Sequence, residues 1–221
     1  MVHSIFHRPV FDRIPKEKQL RILSTAINEF ATYGFDNANI NVIAKKAEVS
    51  VGSLYKYFST KTDLFLTAVH SGVSTLEQVI EAVNASDDDV MNKLEKLIRT
   101  AIDFSRKQQT LIKLYNCITS ETNSALVEKL VYETEHAAAQ AYTEAVIHGQ
   151  ESGEIRQDID PRIAAFLVDN LIMSVQFSFA CDYYSQRLKL YTDSEILEHD
   201  EILINNTLKF IKAALYPRKE G

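Results

Sequence analysis

The chain holds 221 residues, with 24 Lys and Arg against 30 Asp and Glu, a formal net charge of −6. Taken whole, that balance argues against a phosphate-backbone partner, which excess Lys and Arg would neutralise. Six glycines and four prolines are too few for a turn-rich sandwich or barrel, and 46% hydrophobic with 24% charged residues excludes wholesale disorder.

Residues 1–13 carry His3, His7, Arg8, Asp12 and Arg13. They read as a polar N-terminal arm with no apolar leader core, so the expected compartment is the cytoplasm. Pro15 stands where a first helical turn begins. The spacing then predicts a helix over 16–33 with Leu20, Leu23, Ile27, Phe30 and Ala31 on one face, closed by Gly34. A second helix over 40–47 places Ile40, Ile43, Ala44 and Ala47 at i, i+3, i+4 and i+7, with Asn39 as N-cap. After the break Glu48-Val49-Ser50, a third helix over 51–58 repeats the pattern with Val51, Leu54, Tyr55 and Phe58, and Ser50 as N-cap. A fourth starts near Lys61 behind a Thr60/Asp63 capping box, with Phe65, Ala68, Val69, Leu76, Ile80 and Val83 on its apolar face.

The run Asn84 to Asp89 reads as a polar loop. Its acidic triplet Asp87-Asp88-Asp89 lacks the Gly and the terminal Glu of a calcium loop, and fits the cap and first turn of the next helix. Further helices are predicted at 90–106, 110–119, 124–148, 161–185 and 194–215. The fold class is therefore all-α. The window Ile163 to Cys181 is the most apolar, yet holds Asp169, Asn170 and Gln176, and reads as a buried helix with no role in a membrane. Cys117 and Cys181 lie apart from any Cys/His cluster and read as free buried thiols.

The second and third predicted helices are each about two turns long and could not stand alone. Packed on the first, they make a three-helix unit of helix-turn-helix type. The outward face of the third helix is then Gly52, Ser53, Lys56 and Tyr57. Small residues near a helix N-terminus permit close approach to a groove, and Lys56 can reach a phosphate or a guanine edge. The charge divides accordingly. Residues 1–64 hold nine Lys and Arg against six Asp and Glu, and residues 65–221 hold the remaining 15 against 24. The net values are +3 and −9.

The run Ile22-Leu23, Ala26, Phe30, Gly34-Phe35, Ile43-Ala44, Ala47, Val49-Ser50, Gly52-Ser53-Leu54-Tyr55, Tyr57-Phe58, Lys61 and Leu64 resembles the DNA-binding domain of TetR/AcrR-type transcriptional regulators. The resemblance implies an N-terminal helix-turn-helix domain at 1–64 and a helical ligand-binding and dimerisation domain at 65–221. It implies DNA contacts from Asn39 and Asn41 at the start of the second helix, and from Val51, Gly52 and Ser53 toward base edges. Tyr55, Tyr57 and Lys61 match phosphate-contacting positions, and Lys56 a variable one. Val51 fits the apolar face as well as a thymine methyl, and the Tyr55 ring fits the core with its hydroxyl emerging. Arg8 and Arg13 fit either a backbone contact or a free arm.

Two features of the C-terminal part suggest a subunit interface: a helix apolar nearly all round after Pro161, and a last helix with a wide apolar face. The expected interface residues are Phe166, Leu197, Ile204, Leu208 and Ile211. The family resemblance implies the same pairing as a two-fold dimer, and a palindromic operator with it. It also implies a ligand pocket, for which Phe104, Tyr115, Tyr142, Asn170, Met173 and Phe177 are the lining candidates; no cluster of basic residues marks an anionic ligand, so a neutral or cationic apolar molecule is the expected effector. No motif for a cofactor or metal stands out. Glu133 and His136 form one E-x-x-H, where a di-iron bundle needs two. The expected function is a homodimeric, ligand-released repressor. A non-specific architectural DNA-binding protein and a helical-bundle metal enzyme are the rivals.

Overall fold

The computed structural model describes residues 5–122, 124–193 and 195–217, without the side chains of 75–81, 84 and 124. Predicted core residues Leu76 and Ile80 lie outside this description. In chain order the helices are α1 Pro9–Asp12, α2 Lys16–Asn37, α3 Ile40–Lys46, α4 Val51–Tyr57, α5 Lys61–Asn84 and α6 Val90–Lys107. Then follow α7 Gln109–Ile118, α8 Ser124–Glu151, α9 Pro161–Ala180, α10 Asp182–Lys189 and α11 Asp200–Leu215. No strand occurs among the described residues, so the fold is all-α.

The chain divides into two compact units, residues 1–75 with 110–135, and residues 76–109 with 136–221. In the first, α2, α3, α4 and the start of α5 close on one core, whose buried members include Ile22, Phe30, Ile43, Leu54, Phe58 and Phe65. Leu114, Leu126 and Leu130 join it. In the second, α6, α9 and α11 pack together around Leu97, Ile98, Ile102, Val168, Ile172 and Ile211.

The helix ends follow local chemistry. The Asn39 side chain accepts the Asn41 N–H at 2.9 Å, and the Ser50 hydroxyl accepts the Ser53 N–H at 3.1 Å. Thr60 and Asp63 cap each other, each backbone N–H meeting the other's side-chain oxygen at 2.9 and 3.0 Å. Asp89 caps α6 and Asp160 caps α9 ahead of Pro161. Gly34 breaks α2 at φ +74°, a region where a Cβ is costly.

Four sequence expectations need correction. Leu20 is exposed, because the buried row of α2 runs through Ile22, Ala26 and Phe30. The expected helix 161–185 breaks at Cys181, whose extended backbone starts α10 and lets Tyr184 stack edge-on against Phe177 at 5.0 Å. The expected helix 194–215 starts at Asp200, after a 3₁₀ turn at Ile196–Glu198. Residues 9–12 form a helix whose Phe11 is buried against α4, so this part of the arm is docked. Both cysteines are free, Cys181 buried and Cys117 half-buried.

Candidate nucleic-acid interface

The turn between α3 and α4 is held from α2. Arg21 Nε donates to the Ala47 carbonyl at 2.9 Å, and its Nη1 lies 3.6 Å from the Glu48 carboxylate. Glu48 itself sits at φ +56°, a left-handed conformation unusual for a residue with a side chain. Glu29, only 3% exposed, takes the Asn39 N–H on one oxygen and the Lys46 ammonium on the other, both at 3.3 Å. One buried carboxylate thus ties α2 to both ends of α3. Its position inside an apolar row left no trace in the periodicity. A charged residue between Asn28 and Phe30 reads as a solvated face.

α4 presents Gly52, Ser53, Tyr55 and Lys56 outward to differing degrees. Gly52 and Lys56 are exposed and Ser53 is half-buried, its hydroxyl 2.8 Å from that of Ser50. A Cβ at Gly52 would meet only the Ser50 hydroxyl, at 3.9 Å, so internal packing does not require glycine there. Among the described residues Lys56 has no ion-pair partner. Val51 is half-buried and packs against the core, as one of its two readings has it. Asn39 and Asn41 are exposed at the start of α3.

The two tyrosines exchange places relative to expectation. Tyr55 is 47% exposed and Tyr57 only 6%. The cause is α1. Phe11 packs 5.8 Å from the Tyr57 ring and 4.9 Å from that of Phe58, and the Arg8 N–H donates to the Tyr57 carbonyl at 2.8 Å. With a wall on this side too, the last turn of α4 is buried on two faces and Tyr55 is turned outward. Lys18 lies over the Tyr57 ring at 5.8 Å. Lys61 is half-buried at the start of α5, its ammonium 3.0 Å from the Asp36 carbonyl and 5.1 Å from the Phe35 ring centre. Arg8 Nε donates to the Ser59 hydroxyl at 3.1 Å, while Arg13 is exposed.

The pocket candidates do not come together. A cavity of about 390 Å³ lies in the second unit, and of the six only Tyr142 lines it. Tyr115 belongs to the first unit, where its hydroxyl donates to Glu135 at 2.8 Å. Asn170 donates to the carbonyl of Phe166, one turn back on α9, so the polar partner it needs is its own helix. Phe177 is core, and Phe104 and Met173 are half-buried. Helix periodicity locates side chains on a face, but a cavity gathered from residues 86 to 215 depends on how several helices meet.

Among the interface candidates, Ile204 and Ile211 are a correction. They are 2% and 1% exposed within the core of the second unit. Leu197 is half-buried in the 3₁₀ turn and Leu208 packs half-buried against the same core. Phe166 is 62% exposed, with Ile163 and Leu167 beside it on α9, and Ile202 and Phe210 are exposed on α11. α9 is long and apolar enough to cross a membrane, yet Ala164, Ala165, Val168 and Ile172 are buried in the unit core. No group of three or more His, Cys, Asp or Glu among the described residues could hold a metal ion.

Short capped helices, a side-chain-braced turn and an outward N-terminal half of α4 define a DNA-binding protein of helix-turn-helix class. Residues 22–68 match the family described as bacterial regulatory proteins, tetR family. Over this segment the chain is similar to the TetR family of transcriptional regulators. It is 24% identical over 158 residues to the probable acrEF/envCD operon repressor of Escherichia coli K12, covering 70% of this chain and 72% of that one. The fold is that of Bacillus subtilis FadR solved with stearoyl-CoA, with a TM-score of 0.73 at 18% identity, over 89% of this chain and 99% of that one. It is equally that of SmeT of Stenotrophomonas maltophilia solved with triclosan, with a TM-score of 0.70 at 18% identity, over 92% and 94% of the two chains.

Proposed function

We propose that the chain is a cytoplasmic, homodimeric repressor that leaves a palindromic operator when a small apolar molecule binds its C-terminal domain. Residues 1–64 form the DNA-binding domain and residues 65–221 the ligand-binding and dimerisation domain. The observation that carries the reading is Gly52, a glycine in the first turn of α4 with no internal packing need, beside a half-buried serine and, on the same outward side, a lysine with no ion-pair partner among the described residues. A groove approached at backbone distance accounts for it. Gly52, Ser53 and Val51 face base edges, and Tyr55, Lys56 and Lys61 take phosphates or flanking bases. Asn39 and Asn41 meet the backbone beside α3. Tyr57 acts from inside, as the wall against which α1 sets α4.

Support for a dimer comes from Ile163, Phe166 and Leu167 on α9, at i, i+3 and i+4, with Ile202 and Phe210 on α11. These are exposed apolar side chains on the last long helices of a monomer. Support for an effector with an apolar body comes from triclosan and from the acyl chain of stearoyl-CoA, the molecules with which the two structural relatives were solved. Selection of bound sites from random DNA tests the whole reading. Recovery of an inverted repeat is the expected result. Equal affinity for every sequence across a salt series would mean an architectural protein and overturn it.

A further inference from the structure

The cavity of the second unit is walled by the loop before α6, the N-terminal half of α6, the C-terminal part of α8, the loop after it, and α9 and α11. Its apolar wall includes Leu94, Leu97, Val146, Val168 and Leu215. At about 390 Å³ it falls within the ~300–1,000 Å³ that hold drug-sized molecules.

The wall is built close. Ile155 and Val90 crowd Gly149, where a Cβ would sit 2.7 Å from Ile155 Cδ1 and 3.0 Å from Val90 Cγ2. The loop is tied back by the Ile155 N–H to the Gly149 carbonyl and the Arg156 N–H to the Leu215 carbonyl, both at 2.8 Å. Gln150 Nε2 donates to the Arg156 and Ile159 carbonyls at 3.0 and 2.9 Å. A cavity with pinned walls is preorganised for an occupant.

Two polar features point to what it holds. Tyr142 lines the cavity at 8% exposure, and among the described residues its hydroxyl has no hydrogen-bond partner. The hydroxyl oxygen is not sealed off by protein, so an acceptor on an occupant of the cavity can bond it. Burial, with the Asp169 charge behind it, pushes its pKa up, so it stays a neutral donor. The rim is acidic, with Asp87, Asp88, Asp89 and Glu154 against Lys93 and His148. Three of the four carboxylates have protein partners: Asp88 meets Lys96, Asp89 caps α6, and Glu154 accepts the Val90 N–H at 2.9 Å. Asp87 is exposed and has none among the described residues.

We infer that this cavity binds an amphipathic cation, with an apolar or aromatic body, a hydrogen-bond acceptor for Tyr142 and a protonated amine at the rim beside Asp87. The inference rests on the reading of residues 65–221 as the effector domain and specifies the chemistry of its ligand. The probe is tetracaine, an aryl ester with a carbonyl acceptor and a tertiary ammonium. Its control is butyl 4-aminobenzoate, which keeps the body and the carbonyl and lacks the charge. Calorimetric titration of the full-length protein should show tetracaine binding about tenfold tighter than the control, with the ratio falling as salt rises. Asp87→Asn should reduce that ratio by about threefold. Tyr142→Phe should weaken both ligands by about threefold to tenfold. Ala145→Leu, which fills the cavity from α8, should weaken both by more than about tenfold with the helical spectrum unchanged.

Absence of tetracaine binding, equal binding of the two probes, or wild-type binding by a folded Ala145→Leu variant overturns the inference. If Ala145→Leu fails to fold, Tyr142→Phe and Asp87→Asn decide. The two readings fail separately. A protein that selects an operator yet ignores tetracaine is a regulator without this ligand. One that binds tetracaine in the cavity yet selects no DNA site keeps the ligand and loses the repressor.

Discussion

Around the turn between α3 and α4, helices of seven residues are held end by end by individual side chains: Asn39, Ser50, Arg21 and the buried Glu29. In the second unit, helices of 16 to 20 residues are held along their length by apolar rows, with ion pairs only at the margin. Arg99 joins Glu95 on α6 to Glu201 on α11, and Arg106 reaches Asp200 while lying 4.9 Å from the Phe179 ring. The difference is one of tolerance. The first region must place a few atoms on a groove and fixes each terminus. The second must enclose a space, and broad apolar contact does that while leaving part of α9 and α11 bare.

The largest effect that would sharpen this contrast is Phe11→Ala. Loss of the ring between Tyr57 and Phe58 should cost about 3 kcal/mol in urea unfolding, and should weaken operator binding although residue 11 itself is buried away from DNA. Unchanged binding by a destabilised variant would break the idea that α1 positions α4. Next come two helical glycines with opposite signs. Gly149→Ala should destabilise by about 2 kcal/mol, because its Cβ meets Ile155 and Val90 below contact distance. Gly52→Ala should stabilise by about 0.5–1 kcal/mol through helix propensity, while lowering affinity for the selected operator. If Gly52→Ala binds as the parent does, close approach at that position is wrong.

A smaller effect separates the two lysines. Lys56→Ala and Lys61→Ala should each shallow the salt dependence of DNA binding by about one unit of log–log slope. Only Lys61→Ala should also lower the melting temperature, since its ammonium serves the Asp36 carbonyl and the Phe35 ring.

The smallest is a pH effect in the second unit. Asp88 is held low by Lys96, Asp160 by the N–H groups of Ile163 and Arg162, and Glu201 by Arg99. Carboxyls lowered in the folded state contribute stability above their unfolded pKa of about 4. That contribution is lost as pH falls through the folded values. Melting temperature should therefore be flat near neutrality and decline only in acid below the usual carboxylate range. Because Asp160 and Glu201 are exposed and Asp88 is only half-buried, the decline should be slight. A fall starting near pH 6 would point to histidines instead.

How much of this the sequence shows depends on the range of the cause. Caps at Asn39, Ser50 and Thr60/Asp63 act within three residues, and each is where the spacing predicts it. The helix-turn-helix follows from them. Tyr55 and Tyr57 exchange faces because α1, four residues long, has no periodicity of its own and yet buries one side of α4. The break at Cys181 carries no Gly or Pro; the contact of Phe177 with Tyr184 across it is tertiary. Ile204 and Ile211 belong to a stripe that periodicity detects without saying whether a neighbour in the same chain or another copy covers it. The cavity draws on residues 86 to 215 and has no local signature.

The brace from Arg21 bears on movement. Its guanidinium grips the carbonyl of Ala47, the residue that caps α3, and the carboxylate of the residue that turns the chain toward α4. Glu29 grips both ends of α3 from the same helix. A turn clamped in this way does not serve as a hinge. The amides of α3 and α4 should therefore exchange with solvent in one cooperative opening, and any signal that loosens the grip on DNA has to displace α2, α3 and α4 as a single rigid piece.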